Sequence, residues 1–515
     1  MRSYKYILAF FSGMTALAAE FSASRLLQNV FGSSNIIWAI VIGLIMVYFS
    51  VGYWLGGKIA DRNPTYQGLL VLLFVGGAAL GVVPYIASPI LRGAALAFDA
   101  LNLPILAGAF AATLVLFSIP ITLLATTSPY LIRLEGKDTA TLGTEVGLIN
   151  AVSTFGSVFG AFVPTLFLFG IIGTTRTMVV FSVLLLIIVI IGLFTLAKLN
   201  WAVKVLLIIV PLALLAYAYL NDPAIKNTPG HVYETESAYN YIEVLKFGDD
   251  TYLRLNEGQG FHSQYNPNSV FYGGPWEQFL LAPLFKPSFD TMSIHNIAIV
   301  GLAAGTAARQ AALVYPNAVI DGYEIDPKIV EVGQKYFALD HAKVNIQIGD
   351  GRVLLQRSKT KYDIVVVDAY RPPYIPPHLT TVEFFQICAD SLAPNGMLAI
   401  NVGRTPTDRR LINDLAATLG KVFPRVVYID LPGTMNTILF AGSEDTSLLN
   451  YSNNYENLVV KQTANSLLLK AATYTINHVG ANFKPGTVYT DDRSEIEWAT
   501  NNLVINYLLQ GTEIQ

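Results

Sequence analysis

Long apolar runs dominate the first 220 residues, and the remainder of the chain alternates between short apolar runs and polar segments. A helix needs about 20 mostly apolar residues to cross a bilayer, and it satisfies its own backbone hydrogen bonds. The pattern therefore predicts an N-terminal all-α transmembrane bundle of about seven helices, with a short re-entrant or interfacial piece at 89–101. The predicted spans are 6–28, 36–57, 67–87, 104–126, 145–169, 177–197 and 201–220.

Two features inside the predicted bundle bear on how it packs. Glu20 and Arg25 lie within or near the end of the first span, where an ionisable side chain is expected to face protein or water. They could be part of a conduit or substrate site. Alternatively, they could be a structural pair, or Arg25 could snorkel to the membrane interface. Gly156 and Gly160 form a GxxxG pair of the kind that lets two helices approach closely.

After 220 the pattern changes to that of a soluble α/β protein. Residues 221–230 are a polar, Pro/Gly-containing linker, and the alternating runs within 231–265 predict a small β-hairpin subdomain. Strand and helix patterns then alternate, which favours a doubly wound parallel sheet. The predicted domains are 1–220 (transmembrane), 221–265 (linker and small β subdomain), 266–445 (Rossmann-like) and 446–515 (C-terminal helical extension).

Composition narrows the functional classes. The net charge is −3, so nothing indicates nucleic acid as a partner. The single cysteine, Cys388, excludes an intramolecular disulfide and a cysteine metal cluster, and no metal site is predicted.

The polar residues that follow each predicted strand are the candidate site. Gly301 and Gly305 lie in a turn between a strand and a helix, where the backbone can approach a ligand. Glu324 ends the next strand, and a carboxylate there can accept from ribose hydroxyls. Asp350 and Asp368 follow the third and fourth strands. A dinucleotide site remains open, although the turn lacks the regular GxGxxG.

In sequence order, these motifs resemble the spermidine/spermine synthases, the polyamine aminopropyltransferases. The resemblance covers about 231–445, and the membrane half and the tail at 488–498 look like a membrane-bound branch of that family. It implies a Rossmann-like, methyltransferase-type domain. The motifs are LNEGQGFHSQY, WEQFLLAPLF, GLAAG, EIDPKIVEVGQKYF, GDGRVLLQ, KYDIVVVDAY and PHLTTVEFF.

The resemblance also implies roles for individual residues. Gln259 would contact the donor, Glu324 would hold its ribose, and Asp350 with Gly351 would bind adenine. Asp368 would be the general base, although a strand-end acid can also serve only to bind ligand.

The acceptor pocket implied by the resemblance departs from the family pattern. Pro275, Trp276 and Glu277 stand where the family has Tyr-His-Glu, and Tyr272 lies slightly upstream. Arg371 replaces an acid that normally faces the cationic acceptor. Guanidinium pairs readily with carboxylate, so the expected acceptor is not simple putrescine.

Three functions follow as hypotheses. The first is a membrane-bound transferase that uses decarboxylated S-adenosylmethionine or S-adenosylmethionine as co-substrate and moves an aminopropyl-type group to an amine. The second is an S-adenosylmethionine-dependent methyltransferase, and the third is a nucleoside-regulated transporter or sensor. The expected partners are the nucleoside donor, the amine acceptor and the lipid bilayer of the cell membrane. A homo-oligomer is left open.

Overall fold

Two compact units make up the chain in the computed structural model. The first contains Met1–Asn227 and Glu234–Tyr241, and the second contains Thr228–Tyr233 and Ile242–Gln515. The finer boundaries at 265 and 445 stay predictions. The residues described are 3–31, 35–100, 105–135, 142–197, 199–220, 226, 228–256, 260–370, 375–461 and 466–509.

The first unit is almost entirely helical. Within the described residues, six helical stretches are long and apolar enough to cross a membrane, one of which is the 55-residue stretch Leu142–Leu196. The sequence predicted about seven because it counted 145–169 and 177–197 separately. The helices are α1 Tyr4–Phe31, α2 Asn35–Arg62, α3 Tyr66–Ala100, α4 Ile105–Ala125, α5 Thr127–Glu135, α6 Leu142–Val163, α7 Phe169–Leu196 and α8 Trp201–Leu220, with a π-helical turn Pro164–Leu168 between α6 and α7.

The long Leu142–Leu196 stretch reverses direction. Lys5 contacts Glu145 and the Ser157 hydroxyl donates to the Gly13 carbonyl, so α6 runs parallel to α1. The Tyr4 hydroxyl donates to the Ile188 carbonyl, and the Thr15 hydroxyl to that of Phe181, so α7 runs antiparallel to α1. Gly173 makes this reversal possible, because it adopts φ 77°, a left-handed conformation that glycine tolerates.

The GxxxG pair lies where α1 and α6 come closest. A Cβ on Gly156 would lie 2.1 Å from the Phe10 carbonyl oxygen, and one on Gly160 would lie 2.1 Å from that of Met14. Larger side chains at either position would force the two backbones apart. The predicted close packing at these glycines is therefore confirmed.

The short piece predicted at 89–101 is not a separate element. It continues α3, which passes through Pro84 and Pro89 without ending. Proline removes one helical hydrogen bond, but apolar helices in a bundle tolerate this loss. The prediction of a separate re-entrant or interfacial piece was therefore wrong.

Glu20 and Arg25 do not pair with each other. Arg25 Nε lies 3.6 Å from a carboxylate oxygen of Glu236, which also accepts from the Thr174 hydroxyl and the Asn29 amide. Glu20 Oε2 is buried and has no hydrogen-bond partner. The structural-pair interpretation of these two residues was therefore wrong, and Arg25 instead holds the segment Glu234–Tyr241.

A four-stranded sheet, in the order β1-β2-β3-β4, contains the strands predicted within 231–265. β2 and β3 pair antiparallel up to Phe247 opposite Asp250. Ile242, Val244 and Leu253 pack against Ala304, so one face of this sheet supports the turn at 301–305. The strands are β1 His231–Glu236, β2 Tyr241–Phe247, β3 Asp250–Leu255 and β4 Ser263–Tyr265.

An eight-stranded mixed sheet forms the centre of the second unit, in the order β12-β10-β11-β9-β8-β5-β6-β7. β5 to β9 are parallel, and β10 and β11 form an antiparallel pair. The strand order changes direction at β5 and β8, which is where such sheets bind ligands. The strands are β5 Asn296–Val300, β6 Val319–Glu324, β7 Val344–Ile348, β8 Tyr362–Val367, β9 Leu392–Gly403, β10 Arg425–Asp430, β11 Asn436–Gly442 and β12 Val479–Gly480.

Helices cover both faces of this sheet. The C-terminal region predicted as helical is only partly so, because β12 joins the edge of the sheet and 481–495 contain no helix. The helices are α9 Pro275–Phe279, α10 Thr306–Val314, α11 Pro327–Tyr336, α12 Gly351–Arg357, α13 Val382–Ser391, α14 Arg410–Leu419, α15 Leu448–Lys461, α16 Ser466–Thr475 and α17 Ile496–Leu509.

Candidate functional site

The glycine turn after β5 is shaped by close backbone contacts. Gly301 has φ 89° and Gly305 has φ 85°, both left-handed. A Cβ on Gly301 would lie 2.5 Å from the backbone nitrogen of Ala369, which follows β8. Glycine is therefore required there for the ends of β5 and β8 to meet.

Glu324, at the end of β6, binds this turn directly. Its carboxylate accepts from the Ala303 amide at 2.9 Å and from the Asp326 amide at 3.1 Å. Because the side chain is buried, desolvation raises the pKa of Glu324 to about 7, and the nearby Asp326 charge adds to the effect. A carboxylate held in this way can also accept from ligand hydroxyls.

Asp350 and Gly351 lie at the end of β7. Asp350 Oδ1 accepts from the Val353 amide at 3.1 Å and so caps α12, while Oδ2 lies 2.9 Å from His378 Nε2. A Cβ on Gly351 would lie 2.6 Å from the Val300 side chain, so the start of α12 packs against the end of β5. These contacts place Asp350 at the same edge of the sheet as Glu324.

Asp368, directly after β8, is the most perturbed acid at this edge. Its backbone amide donates to the Val300 carbonyl at 2.8 Å, which fixes it beside the glycine turn. Desolvation raises the pKa of Asp368 to about 7, although a hydrogen bond from Asn401 opposes the rise. A carboxyl with this pKa is suited to accept a proton near neutral pH.

Asn401 is a site residue that the sequence analysis missed. It lies in β9, and its amide nitrogen donates to Asp368 Oδ1 at 3.0 Å. Its own amide oxygen is buried and has no hydrogen-bond partner. The available signal was one polar residue in the apolar run GMLAINV, next to the strand that carries Asp368.

Among the residues predicted for the acceptor pocket, Tyr272, Trp276 and Glu277 are described, and each makes local structural contacts. Glu277 is fully buried and accepts from the Tyr272 and Gly274 amides, so it caps α9. Trp276 is buried in the core, and the Tyr272 hydroxyl donates to the Ser269 carbonyl. The role of these three residues in binding an acceptor stays a prediction. Gln259 and Arg371 lie outside the described residues.

Residues 286–448 match the family model described as "Spermine/spermidine synthase domain". A probable polyamine aminopropyl transferase of Bifidobacterium longum is 31% identical over 290 residues, covering 52% of this chain and 61% of the relative. A polyamine aminopropyltransferase of Vibrio vulnificus is 29% identical over 210 residues, covering 39% of this chain and 68% of the relative. The chain thus spans less than two thirds of the first of these relatives.

Solved structures include similar chains. A probable spermidine synthase from Corynebacterium glutamicum has 21% sequence identity and a TM-score of 0.38, and the alignment covers 52% of this chain and all of that one. A spermidine synthase from Thermotoga maritima has 18% identity and a TM-score of 0.35, covering 55% of this chain and 88% of that one.

Proposed function

Because residues 286–448 form a spermine/spermidine synthase domain, we propose that this chain is a membrane-anchored transferase that moves an aminopropyl-type group from a nucleoside sulfonium donor to an amine. The observation that carries the proposal is Asp368, a desolvated carboxyl with a pKa of about 7 beside the glycine turn. Such a carboxyl can accept a proton at the point where parallel sheets bind their ligands.

The proposed reaction needs few protein groups. The amine nitrogen attacks the carbon next to the sulfonium, a C–N bond forms, and the C–S bond breaks with its electron pair left on sulfur. Methylthioadenosine is released as a neutral thioether, and no general acid is needed for this leaving group. The amine proton passes to Asp368, and alignment of nitrogen, carbon and sulfur supplies most of the remaining rate.

The donor would lie across the ends of β5, β6 and β7. Glu324 is assigned to the ribose, Asp350 and Gly351 to adenine, and Gly301 and Gly305 to the close approach of the backbone. Gln259 is assigned to the donor from the sequence alone. The support is that backbone hydrogen bonds connect these strand ends, including the one from the Gly349 amide to the Glu324 carbonyl at 2.8 Å.

The membrane part of the proposal is supported by the first unit. Its side chains include many large apolar groups that face outward, such as Trp54, Ile119 and Ile171. Outward apolar surface of this extent is expected of helices surrounded by lipid. We therefore place the enzyme in the cell membrane as a multi-pass protein.

Product analysis tests the proposal. The detergent-purified chain would be incubated with S-adenosylmethionine or its decarboxylated form and an amine, and the thioether product identified by mass spectrometry. Methylthioadenosine is expected. S-adenosylhomocysteine would instead show a methyltransferase, and nucleoside binding without turnover would show a sensor or transporter.

The rate should depend on pH through Asp368. A carboxyl with a pKa of about 7 is mostly protonated below that pH and cannot accept the amine proton. We expect kcat, measured at saturating donor, to rise about tenfold per pH unit up to about 7 and to level off above it. A profile that is flat from pH 5.5 to 8.5 would contradict the assignment of the base.

Arg371 should disfavour a diamine acceptor. An unscreened guanidinium about 6 Å from an ammonium costs roughly 3 kcal/mol at an effective dielectric of about 20, and solvent reduces this. We expect Arg371→Asp to raise putrescine-dependent release of methylthioadenosine about tenfold. The control is Arg357→Asp on α12. Micromolar KM for putrescine in the wild type, unchanged in Arg371→Asp, would show that the acceptor pocket was misassigned.

A further inference from the structure

The proposed function gives no role to the tail segment 488–498, yet Asp491 makes some of the strongest contacts of the second unit. Its carboxylate receives two hydrogen bonds from the Arg352 guanidinium, at 2.8 and 2.6 Å. It also accepts from the Thr381 hydroxyl at 2.7 Å, and its backbone amide donates to Glu383 at 3.0 Å. A two-point guanidinium–carboxylate pair fixes orientation as well as distance.

The contacts of Asp491 continue toward the nucleoside site. Arg352 Nη1, which binds Asp491, also donates to the His378 carbonyl at 3.0 Å. The His378 ring nitrogen Nε2 lies 2.9 Å from Asp350 Oδ2. A continuous set of polar contacts therefore joins Asp491, Arg352, His378 and Asp350, and we refer to these four residues as the tail relay.

Within the tail relay, His378 contacts one oxygen of the Asp350 carboxylate. The other oxygen of that carboxylate is already held by a backbone amide. Asp350 Oδ1 caps α12 through the Val353 amide, and Oδ2 faces His378. The plane of the carboxylate is therefore set from two sides. Each carboxylate oxygen has two lone pairs, so Oδ2 can accept a second hydrogen bond from a ligand without releasing His378.

We propose that Asp491 is a positioning residue for base recognition. Acting through Arg352 and His378, it orients the Asp350 carboxylate to accept from the 6-amino group of a purine nucleoside. The inference rests on the proposed function, which assigns Asp350 to the base. A site built to bond an amino group rejects an analogue that presents an acceptor at that position, because two acceptors are then left facing each other.

The expected effect lies in selectivity. A partly exposed ion pair contributes little to folding, so Asp491→Asn should leave thermal stability nearly unchanged. The His378 side of the Asp350 carboxylate would be held less firmly, while Oδ1 would keep its bond to the Val353 amide. The carboxylate would then discriminate less between a 6-amino and a 6-oxo purine. We expect the ratio of dissociation constants, methylthioinosine over methylthioadenosine, to fall about fivefold or more.

The test compares variants of the full chain in detergent by calorimetry with these two nucleosides. Asp491→Asn is the test variant. Asp492→Asn is the matched control, because Asp492 is the next residue in the same tail segment and its side chain is exposed. Arg352→Lys is the second variant, since lysine keeps the charge but cannot form the planar two-point pair with Asp491. Both test variants should lose selectivity, and Asp492→Asn should keep it.

The possible failures are distinguishable. Wild-type selectivity in folded Asp491→Asn and Arg352→Lys would overturn the role of the tail relay and leave the proposed function intact. A wild type that binds both nucleosides equally would overturn the assignment of Asp350. A wild type that binds neither would overturn the proposed function, and this inference with it.

Discussion

Replacing Asp368 with asparagine is expected to lower kcat by at least about 10²-fold, the usual scale for loss of a general base. The amide cannot take the amine proton, but it keeps the shape of the side chain and can still pair with Asn401, which lies 3.0 Å from Asp368 Oδ1. Binding of methylthioadenosine should therefore change little. Single-turnover kinetics and calorimetry on the same preparation would measure the two effects separately.

The control for this experiment is Asp340→Asn, an exposed aspartate on the short helical turn Leu339–Ala342. It should have the wild-type rate. An Asp368→Asn variant with a normal rate at saturating substrates would remove the general-base role. A variant that loses nucleoside affinity as well as rate would make Asp368 a binding residue.

Replacing Glu324 with glutamine should weaken nucleoside binding and change the pH dependence of stability. Losing hydrogen bonds from ligand hydroxyls to a charged carboxylate costs about 1.5–3 kcal/mol, or roughly 10- to 100-fold in the dissociation constant of methylthioadenosine. Calorimetry at pH 8, where the wild-type carboxyl is ionised, measures this loss.

The stability effect follows from the raised pKa of Glu324, about 7 in the folded protein against 4.5 when exposed. As pH rises from 4.5 to 7, the unfolded state releases its proton first, so the wild type loses stability across this window. With 1.36 kcal/mol per pKa unit, the loss is about 3 kcal/mol, and glutamine does not incur it. Calorimetric melting at pH 5 and pH 8 should show that the stability of Glu324→Gln increases relative to that of the wild type as pH rises.

Two controls accompany the melting experiment. Asp368 titrates in the same window in both proteins, so its contribution cancels from the difference. Glu331→Gln, on the partly exposed face of α11, should follow the wild type at both pH values. Parallel pH dependence of the wild type and Glu324→Gln would contradict the raised pKa.

The strand-end acids could be predicted because the strand pattern and the position of the acids in the sequence both indicate the carboxyl edge of the sheet. Successive parallel strands end at the same edge of the sheet, and an acid at or directly after the end of a predicted strand has to lie there. Glu324, Asp350 and Asp368 were found in this way, and the structure connects all three strand ends through backbone contacts. Asn401 was missed because it lies inside an apolar run, where a single amide gives no pattern.

Other features depend on geometry that side-chain type does not encode. The capping of α9 by Glu277 could not be predicted: Gly274, which directly precedes α9, has no side chain of its own, so Glu277 turns back to bind the free backbone amides. The sequence separated the spans 145–169 and 177–197, but it did not identify Gly173 as the point of reversal, because hydropathy carries no information about φ. The reversal interrupts an apolar stretch that continues on both sides.

The close packing of α1 on α6 has a consequence for how the protein is made. α1 is synthesised more than a hundred residues before α6. Its apolar stretch has a mean hydropathy of 1.4, the lowest of the six apolar stretches among the described residues. It also carries the unpartnered Glu20. An isolated α1 would partition weakly into lipid. Its stable insertion is therefore expected to be a late step, completed when the glycines of α6 arrive beside it, and truncation before Leu142 should leave α1 accessible to water.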